Sequence, residues 1–440
     1  RPPLLGFHSL RKEFATMAGK QAAVFSPRLT RRGFARLLGA GAGAALLAPK
    51  VAARGWEERL ALRATGRLVP AKLLPKDPTG LILLNSNENP YGPSPAALEA
   101  MVEAHSVAMR YPNYWADQLQ EKLAEFREVE PEMVVVTCGS QEVLKLAAQA
   151  FLGPGKRLVV AEPTFEAIVY YGKQTGAEVV KVPVTADYRH DLEAMAQAAQ
   201  VRPGLVYLCN PNNPTGRAEP HVAVEKFLAR IPGESVVLAD EAYLHYVDAP
   251  DYQSLLGAVK AGKNVVVTRT FSKIYGMAGL RLGYGLARKE LMERMRPHQV
   301  IESWNVMACA AALASLDDEE WVNLNQERNR AARDYLVKAM AERGREVIPS
   351  ETNFVCVSVP VPVPAAIEEF REEGISIGRE FARLPQHIRV SIGTPEEMEE
   401  FVKVYDKLFG VGRRLGPEQA RTRPQGRRPR AGEPPLWARS

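Results

Sequence analysis

Lys273 follows Ser272 directly, has Gly276 and Gly279 just behind it, and is eight residues ahead of Arg281. The preceding run, Asn264 and then Val265, Val266, Val267 and Thr268, reads as a buried strand. Most lysines are solvated surface charges. One at the mouth of a buried strand, with a hydroxyl and a guanidinium nearby to hold a phosphate, suits a lysine that forms a Schiff base with a phosphorylated aldehyde.

Two other segments supply what that chemistry needs. The apolar run 204–209 leads into Asn210, Pro211, Asn212, Asn213, Pro214, Thr215 and Gly216, and the run 235–239 leads into Asp240, Glu241, Ala242 and Tyr243. Each strand thus ends in a polar cluster at its carboxyl end, where open α/β sheets bind ligands. Asp240 is the type of group that keeps a pyridine nitrogen protonated and makes the ring an electron sink. Asn213 and Tyr243 can donate hydrogen bonds to a phenolate oxygen. Together the three segments point to pyridoxal 5′-phosphate. Singly they are weaker: Asp240 could be a helix N-cap, 213–216 an ordinary turn, Phe165 core packing, and Arg281 or Arg389 a surface ion pair.

Eight motifs in order, at 85–93, 138–142, 162–165, 212–216, 240–243, 272–273, 278–281 and 389–394, make the chain resemble the fold-type I pyridoxal-phosphate enzymes. Within them it is similar to the histidinol-phosphate aminotransferase branch of the class I/II aminotransferases, over about residues 80–408. The resemblance implies an α/β fold with a large, mostly parallel-sheet domain sandwiched by helices and a smaller α+β C-terminal domain. It implies ping-pong amino transfer to a 2-oxo acid through an aldimine on Lys273, with Asp240 on the ring nitrogen and Asn213 and Tyr243 on the phenolate. Ser272 and Arg281 are then expected on the phosphate, with Gly139, Ser140 and Gln141 as its cradle. A strand at 133–137, a glycine turn and a helix at 143–151 argue locally for the same cradle. By the same resemblance Phe165 stacks on the ring, and Tyr91 reaches across a homodimer interface to the partner's cofactor phosphate. Arg389 clamps the substrate carboxylate, a bidentate task that suits guanidinium, and Asn353 is a further substrate contact.

The donor is left open. Histidinol-phosphate members carry an arginine shortly after the segment matching 374–377; here Gly378 stands near that place and Arg379 one step on. If Arg379 reaches the site, a phosphate or second carboxylate can bind; if not, aromatic or other amino acids fit better. A decarboxylase of the same fold would share every cofactor residue and is the alternative reaction. A cofactor-binding regulator would need a DNA-reading module, and no helix-turn-helix pattern precedes residue 80.

The net charge of +6 belongs to the ends: residues 1–55 hold ten Lys/Arg against Glu13, and 411–440 hold eight Arg against Glu418 and Glu433, so the middle of the chain is acidic. That balance gives no reason to expect nucleic-acid binding. Cys138, Cys209, Cys309 and Cys356 lie in or beside apolar runs with no Cys-x-x-Cys spacing, and read as buried free thiols; no metal site is expected. Arg31 and Arg32, Phe34 and the Gly/Ala-rich run 37–48 look like a twin-arginine export signal, with cleavage expected after Ala53 and Met17 as the expected start. The run is too short to span a bilayer. A periplasmic or exported protein carried by the twin-arginine machinery is therefore expected, with a cytoplasmic protein bearing a basic extension as the alternative. The expected organisation is a leader at 1–55, an N-terminal arm at 56–108, the cofactor domain at 109–300, a small domain at 301–411 and a disordered basic tail at 412–440.

Overall fold

A computed structural model describes residues 80–410. The export motif, the leader, the arm up to residue 79 and the basic tail lie outside the described residues. The strands are β1 (Ile82–Leu84), β2 (Val134–Thr137), β3 (Arg157–Glu162), β4 (Glu178–Pro183), β5 (Gly204–Cys209), β6 (Val236–Asp240), β7 (Val265–Thr270), β8 (Gly283–Ala287), β9 (Val347–Ile348), β10 (Phe354–Ser358), β11 (Ile375–Ile377) and β12 (His387–Ser391).

Valine-rich runs favour extended backbone, and those buried on both faces read as continuous apolar stretches without alternation. The runs at 134–136, 236–237 and 265–267 behave accordingly and are buried throughout. They belong to a seven-stranded sheet of order β2-β8-β7-β6-β5-β3-β4. The pairs from β4 through β7 are parallel, and β8 runs antiparallel to both β2 and β7. All seven strands fall within two residues of the apolar runs 133–137, 158–161, 178–182, 205–209, 236–239, 265–268 and 282–286 that the sequence indicates. Helices Ser140–Phe151, Ala167–Gln174, Leu192–Gln200 and His221–Leu228 supply the connections that parallel strands require.

A second core is built on an antiparallel sheet of order β12-β10-β9, with helices Glu319–Glu342, Val363–Glu372 and Pro395–Phe409 around it. Phe370 and Phe401 stack there at 5.1 Å between centroids. From the sequence, 352–358, 375–377 and 388–392 suggest one small sheet, and 359–364 a turn or extended link before a helix at 365–373; two of these expectations need correction. The strand at 375–377 does not join this sheet; it pairs in parallel with β1, Ile82 opposite Ile375 and Leu84 opposite Ile377, because the segment just ahead of Asn85 is itself a strand. The link expected over 359–364 ends early, since the helix starts at Val363 with Pro364 in its first turn, where a missing N–H is tolerated. Among the thiols, Cys209, Cys309 and Cys356 are buried, but Cys138 is only half-buried in the turn after β2. Among the described residues no helix is long and apolar enough to cross a membrane.

A buried ion pair ties the carboxyl end of β7 to the residue after β6. The Arg269 guanidinium donates to Glu241 Oε2 from Nη2 at 2.8 Å and from Nε at 3.0 Å, and Glu241 also accepts from the Leu255 amide at 2.6 Å and from Ser254 Oγ. Both side chains are at most 3% exposed. Removing one member strands the other charge in a dry interior. Glu241→Ala is therefore expected to cost about 3–5 kcal/mol in urea unfolding, whereas Glu225→Ala, which breaks the exposed pair with Lys263, should cost under about 1 kcal/mol.

Candidate active site

Strands β5, β6 and β7 end side by side, with Cys209 opposite Asp240 and Asp240 opposite Thr268. Asp240 is buried at 3% exposure. Tyr207 on β5 donates its hydroxyl to Asp240 Oδ2 at 2.8 Å, and the Ala242 amide donates to Oδ1 at 3.2 Å. Burial pushes the Asp240 carboxyl up to about 6; the Tyr207 and Ala242 hydrogen bonds work against that rise.

Beyond β7 the chain turns through Phe271 and Ser272 to Lys273. Lys273 Nζ donates to the Asn87 carbonyl at 2.8 Å and the Ser86 carbonyl at 3.3 Å, and lies 5.6 Å from the Tyr243 ring centroid. Burial, then the nearby Arg389 charge, lowers its amine to about 8. A neutral, nucleophilic amine is thus available close to neutral pH. The Tyr243 hydroxyl accepts from Asn87 Nδ2 at 3.0 Å and Asn213 Nδ2 at 3.3 Å. Arg389 Nη1 donates to Asn213 Oδ1 at 2.8 Å and Nη2 to the Asn85 carbonyl at 2.6 Å.

The third part is the turn from β2 into helix Ser140–Phe151. Gly139 has φ +74°, and a Cβ there would fall 2.5 Å from Arg281 Nη2, so the glycine lets the guanidinium close against the helix start. Gly283 likewise abuts the Ser140 amide, where a Cβ would lie at 2.4 Å. Arg281 Nη1 is 3.5 Å from Ser272 Oγ, and Thr270 Oγ1 donates to that oxygen at 2.9 Å. The first amides of a helix, Ser140 and Gln141 here, have no intrahelical acceptor and carry the positive end of its dipole. Gly139, Ser140, Gln141, Ser272 and Arg281 therefore come together with donors that could hold an anion.

Four expected residues stand further out. Phe165 is half-buried against the apolar cluster of Ala167 and Ile168. Arg379 donates to Glu166 Oε2 at 2.7 Å. Its Cζ lies 4.3 Å from the Phe381 ring centroid, and that of Arg389 lies 5.0 Å from the same centroid. Asn353 Nδ2 donates to the Asn87 carbonyl at 3.0 Å, leaving its Oδ1 buried without a partner. Tyr91 packs under Arg328, 4.4 Å from the guanidinium carbon to its ring centroid, and has no hydrogen bond to Lys273, Asp240 or Arg281.

Sequence reasoning missed two residues. Asn87, with φ +55°, links Lys273, Tyr243, Asn353 and Ser391; its motif was visible, but nothing distinguished it from Asn85 or Asn89. Tyr207 read as an ordinary strand residue, although a tyrosine in a strand buried on both faces needs a partner for its hydroxyl.

A cofactor with a phosphate, a basic ring nitrogen and an aldehyde fits this donor set: Ser272 beside Arg281 adjoins Lys273, whose depressed amine lies 5.6 Å from the Tyr243 ring centroid, and Asp240 ends the strand that leads to Tyr243. Arg389 Nε and Thr268 Oγ1, both buried, have no hydrogen-bond partner, so polar capacity is unused there. Among the described residues no group of three or more His, Cys, Asp or Glu side chains gathers as metal ligands.

Comparison with known proteins agrees with this geometry. The family described as aminotransferase class I and II matches residues 79–404, and the chain belongs to that family. It is 40% identical over 335 residues to the histidinol-phosphate aminotransferase of Symbiobacterium thermophilum, covering 76% of this chain and 91% of that one. It is 38% identical to the enzyme of the same name from Moorella thermoacetica, covering 75% and 86%. The crystal structure of histidinol-phosphate aminotransferase from Sinorhizobium meliloti in complex with pyridoxal-5′-phosphate superposes with a TM-score of 0.70 at 25% identity, covering 78% and 98%. The fold is that of the fold-type I aminotransferases.

Two outcomes follow from the geometry. Trinitrophenylation of Lys273 in apoprotein by trinitrobenzenesulfonate, in which the amine displaces sulfite from the ring, should rise, by peptide mapping, with a midpoint at pH about 8, not near the roughly 10.4 of a free lysine. Gly139→Ala should weaken binding of pyridoxal 5′-phosphate in equilibrium dialysis about tenfold or more, since it displaces one charge-assisted contact, and should lower stability in urea unfolding by about 1–3 kcal/mol, since alanine is strained at this positive φ.

Proposed function

We propose that the chain is a pyridoxal 5′-phosphate-dependent transaminase that moves an amino group from an amino acid or histidinol phosphate to a 2-oxo acid. The observation that carries this reading is the Lys273 amine, lowered to about 8 and set among Tyr243, Asn87 and Arg389 at the ends of neighbouring strands. The transaminase activity and the cofactor also agree with the family and with relatives that are aminotransferases at 38–40% identity. The same relatives make decarboxylation the less supported reaction.

When bound, the cofactor supplies an aldehyde that captures the donor's amine and a ring that takes up the electron pair left at Cα. Arg281, Ser272 and the amides of Ser140 and Gln141 would hold its phosphate. Asp240 would keep the ring nitrogen protonated, Asn213 and Tyr243 would face the phenolate oxygen, and Phe165 would cover the ring. Arg389 orients the donor by its carboxylate or an equivalent polar group. Lys273 Nζ, neutral above about pH 8, would accept the Cα proton and give it back to the carbon that the cofactor's aldehyde supplies. The oxo product leaves before the 2-oxo acid enters, so the two half-reactions share one set of residues.

Histidinol phosphate as donor rests on Arg379, which can exchange Glu166 for a substrate phosphate at the cost of one exposed ion pair. Homodimerisation is favoured by an apolar surface of Met109, Tyr111 and Ile301, each at least 76% exposed, near the Asn113–Glu302 hydrogen bond. Tyr91 would then serve the partner's site. Export by the twin-arginine route remains a reading of residues 1–55, tested by fusing them to a folded reporter and locating it.

Donors added singly to purified protein saturated with cofactor should bleach its visible band, histidinol phosphate and aromatic amino acids leading. Lys273→Ala should lower turnover on the order of 10²–10⁴-fold, the usual contribution of a positioned acid–base group. Arg379→Ala should raise KM for histidinol phosphate about tenfold, with little change for aromatic donors. An unaltered KM would remove the phosphate assignment and leave the transaminase reading in place.

A further inference from the structure

Tyr207 is fully buried, lies on β5 outside every expected contact with cofactor or substrate, and ends on Asp240. Around it pack Leu205, Val236 and Leu238, which offer its hydroxyl nothing. Its O–H donates to Asp240 Oδ2 at 2.8 Å, while the Ala242 amide holds Oδ1 at 3.2 Å. One oxygen is thus held from the neighbouring strand and the other from the following turn. That fixes the carboxylate's plane and leaves each oxygen a lone pair to use elsewhere.

We propose that Tyr207 is a positioning residue of the transamination site: its hydroxyl keeps Asp240 ionised and aimed at the recess where a ring nitrogen would lie. The inference rests on the reading of Asp240 as the ring-nitrogen partner. A phenol is suited to the task. It donates to the carboxylate without adding charge, and its own ionisation is strongly opposed by burial and by Asp240, so it stays a donor across the working range.

The other groups facing Asp240 do not replace this contact. Glu241 raises the Asp240 carboxyl and Lys273 lowers it, both less than Tyr207 does. Cys209, opposite on β5, is held as a neutral thiol by burial, and burial likewise keeps Tyr243 neutral. Thr268, opposite on β7, points no hydrogen bond at Asp240. Losing the Tyr207 donor removes a bond that favours the charged form. The carboxyl pKa must then rise, and ionisation is lost from the acid side upward.

The test is Tyr207→Phe, which keeps the buried ring and deletes the donor. Its first readout is the NMR shift of ring-¹⁵N-labelled pyridoxal 5′-phosphate bound to the protein, followed against pH. On the alkaline side the more basic carboxylate should hold the ring-nitrogen proton to higher pH, and the acid limb of kcat should likewise move up by about one to two pH units, the worth of one hydrogen bond to a charged group, with KM little changed. Replacing Tyr207 with 3-fluorotyrosine, a nearly isosteric and stronger donor, should move the acid limb the other way and serves if Tyr207→Phe fails to fold. A lower melting temperature with the nitrogen signal and acid limb unmoved in both variants would make Tyr207 a packing residue and overturn the proposal. Asp240→Asn is run beside them: if it leaves the nitrogen protonated and turnover intact, the site reading itself has failed, which no Tyr207 result alone would show.

Discussion

The pairing register of β5, β6 and β7 is the constraint from which the site follows. Side chains alternate across a strand, so a one-residue slip would turn Asp240 to the opposite face of the sheet and away from Tyr207. Parallel pairing with Cys209 opposite Asp240 and Asp240 opposite Thr268 brings three consecutive loops to one level. Lys273, Tyr243 and Asn213 all lie on those loops. Burial of the valine runs on both faces holds the register, since a slip would leave apolar side chains without partners.

The same burial moves the site's two ionisable groups toward neutrality from opposite directions. Desolvation raises Asp240 to about 6 and lowers Lys273 to about 8. A surface lysine would be charged and unreactive; a surface aspartate would face water that competes for its proton partner. In the dry strand ends, the amine is a usable base and the carboxylate a usable anion over the same range of pH. Arg389 adds to the lysine's shift, so the arginine proposed to recognise substrate also adjusts the amine proposed to carry the proton.

Much of this was legible in the chain because the relevant signals are local. Apolar runs announced the seven strands, and the polar clusters after 209, 239 and 268 announced which strand ends would converge. Lys273, Asp240, Asn213, Tyr243 and Arg281 each sit within a few residues of such a run. Asn87 and Tyr207 were not legible, and for different reasons. Asn87 acts through contacts 156 to 304 residues away, for which no spacing in its own segment is informative. Tyr207 has a strand-compatible side chain whose only unusual feature is the partner it requires. The β1–β11 pairing was hidden likewise, because three-residue strands carry too few positions to display a period.

Those long-range contacts explain why neither core makes the site alone. The seven-stranded sheet carries Lys273, Asp240 and Tyr243, while Asn353 and Arg389 belong to β12 and the turn before β10. Residues 85–89 run between them: the Asn87 carbonyl accepts from both Lys273 and Asn353, and the Asn85 carbonyl accepts from Arg389. Pairing of β1 with β11 anchors this segment at its start, and the Asn89 side chain anchors its end by donating to the Ile274 carbonyl at 2.8 Å. Closing loops of this length costs entropy that only the completed set of contacts offsets. The half of the site that includes Asn353 and Arg389 therefore depends on both cores being in place. The strand ends that hold Asp240 need only the register of the large sheet.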